Sequence, residues 1–172
     1  MTSDRREAFE RLCRDEYAAV VRTAWLVTGD REEAVDIAQE TFVRAYERWR
    51  QVAVMDRPGG WLQRVAANLA LSWRRRQRSA SAAQRRLSAG APLAILASPA
   101  DARDDELLRA LDHLTPAQRT VIVLRYFADQ PVDDVARALG KRPGTVRALA
   151  SQGLDRLRQT LGSMEVFADA LD

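Results

Sequence analysis

Residues 61–78 read WLQRVAANLALSWRRRQR, an apolar helical pattern that ends in a run of arginines. A helix turns about 100° per residue, so the members of each face are found by counting. One face is apolar and comprises Leu62, Val65, Ala66, Leu69 and Trp73. The opposite face comprises Arg64, Asn68, Leu71, Arg75 and Arg78. The pattern predicts a helix anchored on a core, with a polar and basic stripe that either lies in solvent or follows a phosphate backbone.

Two helices are predicted before this segment, over 7–27 and about 31–50, and a loop, QVAVMDRPGG, over 51–60. Asp30 is the predicted N-cap of the second helix, with Glu33 three residues later. The inward positions of that helix are Ala34, Ile37, Ala38, Thr41, Phe42, Ala45 and Trp49. Its outward positions are Asp36, Gln39, Glu40, Arg44 and Glu47. This outward face is predicted to be polar and charged.

The rest of the chain predicts a second helical unit behind a linker. Residues 80–103 are rich in Ala, Ser, Gly and Pro and have no sustained period, which is typical of a flexible connection. The fold prediction is therefore all-α, with small helical domains at 1–79 and 104–162 and a tail at 163–172. Within the second domain, Thr115 followed by Pro116 and Gln118 predicts a capped helix start.

Residues 132–158, VDDVARALGKRPGTVRALASQGLDRLR, predict a short helix over 133–139, a turn at Gly140 and a longer helix from about Gly144. This layout is typical of a helix-turn-helix, whose second helix enters the major groove of DNA. A bare helical hairpin remains the alternative. Basic residues at the entrance of the second helix, where phosphates are usually met, favour DNA binding: Lys141, Arg142 and Arg147.

Composition excludes several classes of function. The 172 residues carry a net charge of +3, so any affinity for nucleic acid has to come from local clusters. A single cysteine and a single histidine leave no disulfide framework, no Cys/His zinc site and no plausible nucleophile–His pair. We therefore expect no enzyme, no metal and no cofactor. Because no apolar run approaches the ~20 residues of a membrane span, we expect a soluble, cytoplasmic protein.

The two helical units together resemble the extracytoplasmic-function (group four) sigma factors of bacterial RNA polymerase. REEAVDIAQETFVRAYERW (31–49) resembles region 2.2, WLQRVAANLALSWRRRQR (61–78) resembles regions 2.3–2.4, and residues 114–158 resemble region 4. The ending GTVRALASQGL (144–154) is similar to the actinobacterial subgroup named after sigma E. The resemblance spans about residues 9–161, with the linker unmatched.

The resemblance implies partners and roles. Region 2.2 of the family docks on the β′ clamp of core RNA polymerase, and the matching positions here are Asp36, Gln39, Glu40 and Arg44. Regions 2.3–2.4 of the family hold the opened −10 element. The residues here that are implied to bind it are Arg64, Asn68, Arg74, Arg75 and Arg78. Asn68 matches the asparagine of the family's pocket for a flipped base. Region 4 of the family reads the −35 duplex and touches the β flap. The residues here that are implied to bind the −35 duplex are Lys141, Arg142, Thr145, Arg147, Ser151 and Gln152. The sequence leaves open whether an anti-sigma factor also binds the protein.

A stand-alone helix-turn-helix regulator, whose amino-terminal domain only dimerises, is the alternative function. The outward face of 31–50 is the discriminating feature, because a dimerisation domain should expose apolar residues there. The polar pattern of that face favours the sigma factor.

Overall fold

The computed structural model describes residues 3–85 and 102–161, and every regular element within them is a helix. The amino-terminal domain consists of α1 (Ser3–Thr28), α2 (Arg31–Glu47), α3 (Trp49–Val52) and α4 (Pro58–Arg85). The carboxy-terminal domain consists of α5 (Ala102–Asp112), α6 (Pro116–Ile122), a π-helical turn (Val123–Phe127), α7 (Val132–Leu139) and α8 (Pro143–Leu161). The predicted all-α, two-domain fold is confirmed. Most of the predicted linker and the whole predicted tail lie outside the described residues.

The predicted helix starts are confirmed at α2 and α6. The Asp30 carboxylate accepts a hydrogen bond from the backbone N–H of Glu33 at 3.0 Å. At α6 the capping box is complete, since Thr115 Oγ1 accepts from Gln118 N at 3.2 Å and Gln118 Oε1 accepts from Thr115 N at 3.1 Å. Such caps satisfy the N–H groups that a helix start leaves unpaired.

The predicted loop over 51–60 is shorter in the structure, because α3 extends to Val52 and α4 already begins at Pro58. Proline suits the first position of a helix, where its missing N–H is not needed. Gly59 lies where α4 passes close to α1, and a Cβ at this position would be 2.3 Å from Glu16 Oε1. The Pro-Gly-Gly sequence therefore opens the helix and does not end the loop.

Helix α4 is covered on both sides. Leu62 and Ala66 are fully buried against the amino-terminal core, and every predicted inward residue of α2 is buried. The assignment of Leu71 to the polar stripe is wrong, since only 4% of its surface is exposed. Part of the stripe faces the carboxy-terminal domain, since Arg64 and Asn68 both donate hydrogen bonds to it.

The two domains pack against each other through a continuous apolar core. Residues of α5 and α6, among them Leu111 and Ile122, belong to the same buried cluster as Val20 and Leu62 of the amino-terminal domain. Conversely, Ala67 of α4 is fully buried in a cluster whose other buried members lie in the carboxy-terminal domain: Val121, Leu124, Ala128, Val135, Ala136, Val146 and Ala150. The basic face of α4 is thus part of a domain interface.

Candidate nucleic-acid interface

The outward residues of α2 form the first of three candidate surfaces. All of the residues that the resemblance assigns to polymerase binding are exposed: Asp36, Gln39, Glu40 and Arg44. Arg44 Nε lies 2.8 Å from Glu40 Oε1, one helical turn away. An exposed pair of this kind contributes little to stability, so both side chains can exchange this contact for one with a partner.

This face is less polar than the sequence predicts. Val43 and Tyr46 are each 51% exposed, although the ring of Tyr46 also packs edge-on against Phe9 at 5.3 Å. Protein–protein interfaces commonly combine exposed apolar groups with charged groups around them. The face therefore suits a protein partner, but it does not by itself separate a polymerase from a second copy of the chain.

The basic face of α4, defined as Arg64, Asn68, Arg74, Arg75 and Arg78, is the second surface. Its members differ in exposure, because Arg75 and Arg78 are exposed whereas the other three are half-buried. Arg64 Nη1 donates to Gln130 Oε1 at 2.7 Å and to Asp134 Oδ2 at 3.0 Å. Burial lowers the pKa of Arg64, and the Asp134 carboxylate opposes that shift.

Asn68 is also engaged by the carboxy-terminal domain. Its amide Nδ2 donates to the backbone carbonyl of Ala138 at 2.7 Å. That carbonyl belongs to the last turn of α7, where carbonyl groups have no partner within the helix. The side chain that the resemblance assigns to base reading is therefore already hydrogen-bonded within the protein.

Arg74 and Arg78 lie at the far end of the same interface. Arg74 donates to the carbonyl of Thr28 at 2.8 Å and to Asp112 Oδ1 at 3.0 Å. Thr28 ends α1, and a cation at a helix carboxy terminus is favoured by the helix dipole. Arg78 makes a longer contact of 3.4 Å with the carbonyl of Leu114.

Arg119 of α6 is a buried charge that the sequence analysis missed. It is fully buried, donating through Nε to the Leu26 carbonyl at 2.6 Å and through Nη1 to Asp112 Oδ1 at 2.5 Å. Burial and then the neighbouring Arg74 lower its pKa to about 10, so it remains charged at neutral pH. Its Nη2 has no hydrogen-bond partner among the described residues, and such a donor costs about 1–3 kcal/mol.

The helix-turn-helix is the third surface. Gly140 ends α7 with φ 60° and ψ 37°, a left-handed conformation that glycine adopts without strain. Most of the residues assigned to −35 recognition are exposed: Arg142, Thr145, Arg147, Ser151 and Gln152. Lys141 is half-buried. Gln152 Oε1 accepts a long hydrogen bond of 3.4 Å from Gln118 Nε2. The amide N–H groups of the exposed Gln152 side chain can therefore donate to a partner.

A cleft of about 300 Å³ beside α8 adds residues that the sequence analysis did not assign to DNA. Arg147 and Ser151 line it together with Arg125, Tyr126 and Arg158. Arg158 follows Ser151 by two helical turns, so the helical period of 3.6 was a usable signal for it. Arg125 lies in the π-helical turn and gave no such signal.

Among the residues that the structure describes, no group of His, Cys, Asp and Glu side chains is placed to hold a metal ion. Within 3–85 and 102–161, no helix combines the length and the apolar character that crossing a bilayer requires.

Comparison with known families assigns both domains. Residues 12–80 match the model of sigma-70 region 2, and residues 104–157 match the model of sigma-70 region 4. The first match contains α2 and the basic face of α4, and the second contains the helix-turn-helix. All three candidate surfaces therefore lie inside the matched segments.

Individual relatives match over nearly the whole chain. The RNA polymerase sigma-E factor of Streptomyces avermitilis is 31% identical over 166 residues, which cover 95% of this chain and 90% of the relative. The ECF RNA polymerase sigma factor SigL of Mycobacterium tuberculosis H37Rv is 32% identical over 163 residues, covering 92% of both chains. The sigma factor RpoE of Bartonella quintana, solved with the anti-sigma factor NepR, has the same fold, with a TM-score of 0.70 at 21% identity over 90% of this chain and 96% of that one.

Proposed function

Because the chain belongs to the sigma-70 family of RNA polymerase sigma factors, and to its extracytoplasmic-function type, we propose that it directs core RNA polymerase to −35 and −10 promoter elements and promotes DNA opening. The observation that carries this proposal is the match of region 2 and region 4 to the two domains, in that order. Such a factor acts by binding and not by catalysis, and it works with the polymerase in the cytoplasm. A stand-alone regulator would have no use for a region 2 domain.

We assign the docking of core polymerase to the outward face of α2. Asp36, Gln39 and Glu40 offer hydrogen-bond acceptors, while Arg44 and the exposed Val43 add a cation and an apolar contact. Interfaces of this mixed composition bind through a few central side chains surrounded by a polar rim. The β′ clamp is the proposed partner of this face, and an anti-sigma factor is a candidate competitor for the protein as a whole.

We assign the opened −10 strand to the basic face of α4. Its arginines supply charge to neutralise phosphates, and the Asn68 amide offers both a donor and an acceptor to the edge of an extruded base. The short loop over 53–57 precedes α4, and Trp61 lies half-buried beside it. The opposite side of α4 is anchored in the apolar core, which fixes the spacing of the arginines and Asn68 along the DNA strand.

We assign the −35 duplex to α8. Arg147, Ser151 and Gln152 lie on its exposed side as the candidate readers of base edges. Lys141 and Arg142 precede the helix and Thr145 lies in its first turn, where phosphates meet free backbone N–H groups. Region 4 of the family also touches the β flap, and we place that contact on this domain.

The polymerase assignment is tested by changing Gln39 and Glu40 together to alanine. Loss of both side chains should weaken binding to core polymerase by about tenfold or more, while circular dichroism remains unchanged because both are exposed. The matched control is Gln51→Ala with Glu106→Ala, the same residue types at exposed positions that lie off α2. Equal affinities of the two double variants for core polymerase would contradict the assignment.

A further inference from the structure

We propose that the cleft beside α8 is a docking site for the chain's own acidic segment, residues 163–172, and that the docked segment competes with the −35 duplex for Arg147. The docking follows from the chemistry of the cleft and of the segment alone. Only the competition rests on the proposed function, because it takes Arg147 as a reader of the −35 duplex.

The cleft combines an apolar floor with a basic rim. Val146 and Ala150 in its floor are buried, and Leu154 is half-buried. The rim is formed by the side chains of Arg125, Arg147 and Arg158. The volume of about 300 Å³ lies at the lower end of the range for small-molecule pockets. The cleft therefore suits one large anchoring side chain better than a whole cofactor.

The arginines of the rim have few acidic partners. Among the residues that the structure describes, no carboxylate forms an ion pair with Arg125 or Arg147. Arg125 donates to the Gln130 carbonyl, which is neutral. Arg158 lies 3.0 Å from Asp155, but both side chains are exposed and such a pair contributes little to stability. Three positive charges facing one carboxylate favour an acidic occupant.

The segment that follows α8 has the complementary composition. Residues 162–172 read GSMEVFADALD, with three acidic residues and no lysine, arginine or histidine. The acidic residues are Glu165, Asp169 and Asp172. The apolar residues Met164, Phe167 and Leu171 recur at i, i+3 and i+7, the spacing with which an amphipathic segment lays one face into a groove. One short stretch thus offers carboxylates for the rim and an apolar face for the floor.

The connection to the cleft is long enough for this segment. Helix α8 ends at Leu161, and Leu154 lies about 10 Å back along the helix at a rise of 1.5 Å per residue. The residues from Gly162 to Phe167 span up to about 20 Å when extended. Gly162 directly follows the helix, where glycine favours a change of chain direction. Phe167 can therefore reach the floor, and it is the proposed anchor.

The tether favours this segment over a separate ligand. A short flexible linker gives its attached group an effective concentration in the millimolar range, so weak contacts are enough for the cleft to be occupied. Carboxylates pair with guanidinium groups as phosphates do. A carboxylate bound to Arg147 uses N–H donors that a base edge of the −35 duplex would need. Docking and DNA binding therefore compete.

The contact is tested in the full chain without DNA or polymerase. The single cysteine, Cys13, is changed to serine, and Ala170→Cys carries a nitroxide spin label beside Leu171. The label should broaden the amide NMR signals of Arg147 and Ser151 in the cleft. Unbroadened signals at both residues would overturn the docking.

Matched variants separate docking from mere tethering. Phe167→Ala removes the anchor, whereas Val166→Ala shortens a neighbour outside the apolar face, so only the first should lose the broadening at Arg147. On the rim, Arg158→Ala should reduce the broadening. Arg156→Ala should not, because Arg156 is exposed on the same helix and does not line the cleft. Equal broadening in all four variants would indicate a tether without docking and overturn the proposal.

The competition is measured as affinity for a duplex carrying the −35 sequence that run-off transcription selects, without polymerase. Phe167→Ala should bind this duplex about threefold or more tightly than Val166→Ala, since apparent affinity scales with the fraction of protein whose site is free. Equal affinities of the two variants, with the contact present in the wild-type protein, would refute the competition for Arg147.

The outcome for the proposed function is read separately. Run-off transcription with core polymerase measures promoter recognition, whereas the NMR contact requires neither polymerase nor DNA. If the wild-type protein directs promoter-specific run-off but shows no anchored contact, the docking alone fails. If it directs no promoter-specific run-off, the proposed function fails, and the NMR result alone decides the docking.

Discussion

Asn68 offers both a donor and an acceptor on its amide, and among the residues assigned to the −10 strand it is the one suited to reading a base rather than a phosphate. Asn68→Ala should therefore reduce transcription unevenly, with the largest loss at one −10 position. The measurement is a base-substitution scan of the −10 element with the reconstituted holoenzyme. A loss that is equal at every position would reflect only the lost bond to the Ala138 carbonyl and would contradict the assignment.

Arg75 makes a different prediction, because a phosphate contact carries no sequence information. Arg75→Ala should weaken binding similarly for all promoter sequences and reduce the salt slope by about 0.7–0.9 for one contact. Arg76→Ala is the matched control, since Arg76 is an exposed arginine of the same helix outside the assigned face. Identical salt slopes for both variants would show that Arg75 does not contact a phosphate.

Residue-level prediction from the sequence succeeded for periodic features and failed for distant partners. The helical period located Arg64 and Asn68 on one face because neighbours on a helix are fixed by local geometry. It could not indicate Asp134 or the Ala138 carbonyl, which follow some seventy residues later. Arg119 was missed because its Nε donates to the Leu26 carbonyl on α1. The nearby Asp112, which accepts from its Nη1, does not by itself mark a buried charge.

Among the elements, the contact of α6 with α8 depends on Gly153. A Cβ on Gly153 would lie 3.0 Å from Ile122 Cγ1, which is tighter than ordinary van der Waals contact. Gly153→Leu should therefore lower the free energy of unfolding by about 1–3 kcal/mol. At Gly144 of the same helix a Cβ meets nothing within 4 Å, so Gly144→Leu should not destabilise the protein and serves as the control.

Chemical denaturation measures both glycine variants. Leucine also favours the helix over glycine by up to about 1 kcal/mol, so the difference between the two variants isolates the packing at Ile122. Equal denaturation midpoints for Gly153→Leu and Gly144→Leu would contradict the close approach of α8 to α6.

Element boundaries were predictable where a local chemical signal exists. Asp30, Thr115 and Gly140 act on their own backbone neighbours, and the structure has helices beginning or ending at each of them. The start of α4 was misplaced because Pro-Gly-Gly has two local meanings, a turn or a first helical turn. The close approach of Glu16 to Gly59 decides between them, and it is a tertiary contact.

In the whole molecule, the all-α fold and its division into two domains followed from the sequence, whereas their packing did not. Helical periodicity assigns an apolar side to each helix but not the helix that covers it. Ala67 reads as an ordinary member of an amphipathic pattern, and it is buried because the carboxy-terminal domain covers the second side of α4.

Run-off transcription with purified core RNA polymerase and a randomised promoter library, with and without this protein, tests the central claim most directly. The account predicts that the protein is recruited to core polymerase and that initiation shifts to a subset of templates sharing one −35 and one −10 sequence. Failure of core polymerase to recruit the protein, or an unchanged set of transcripts in its presence, would contradict it.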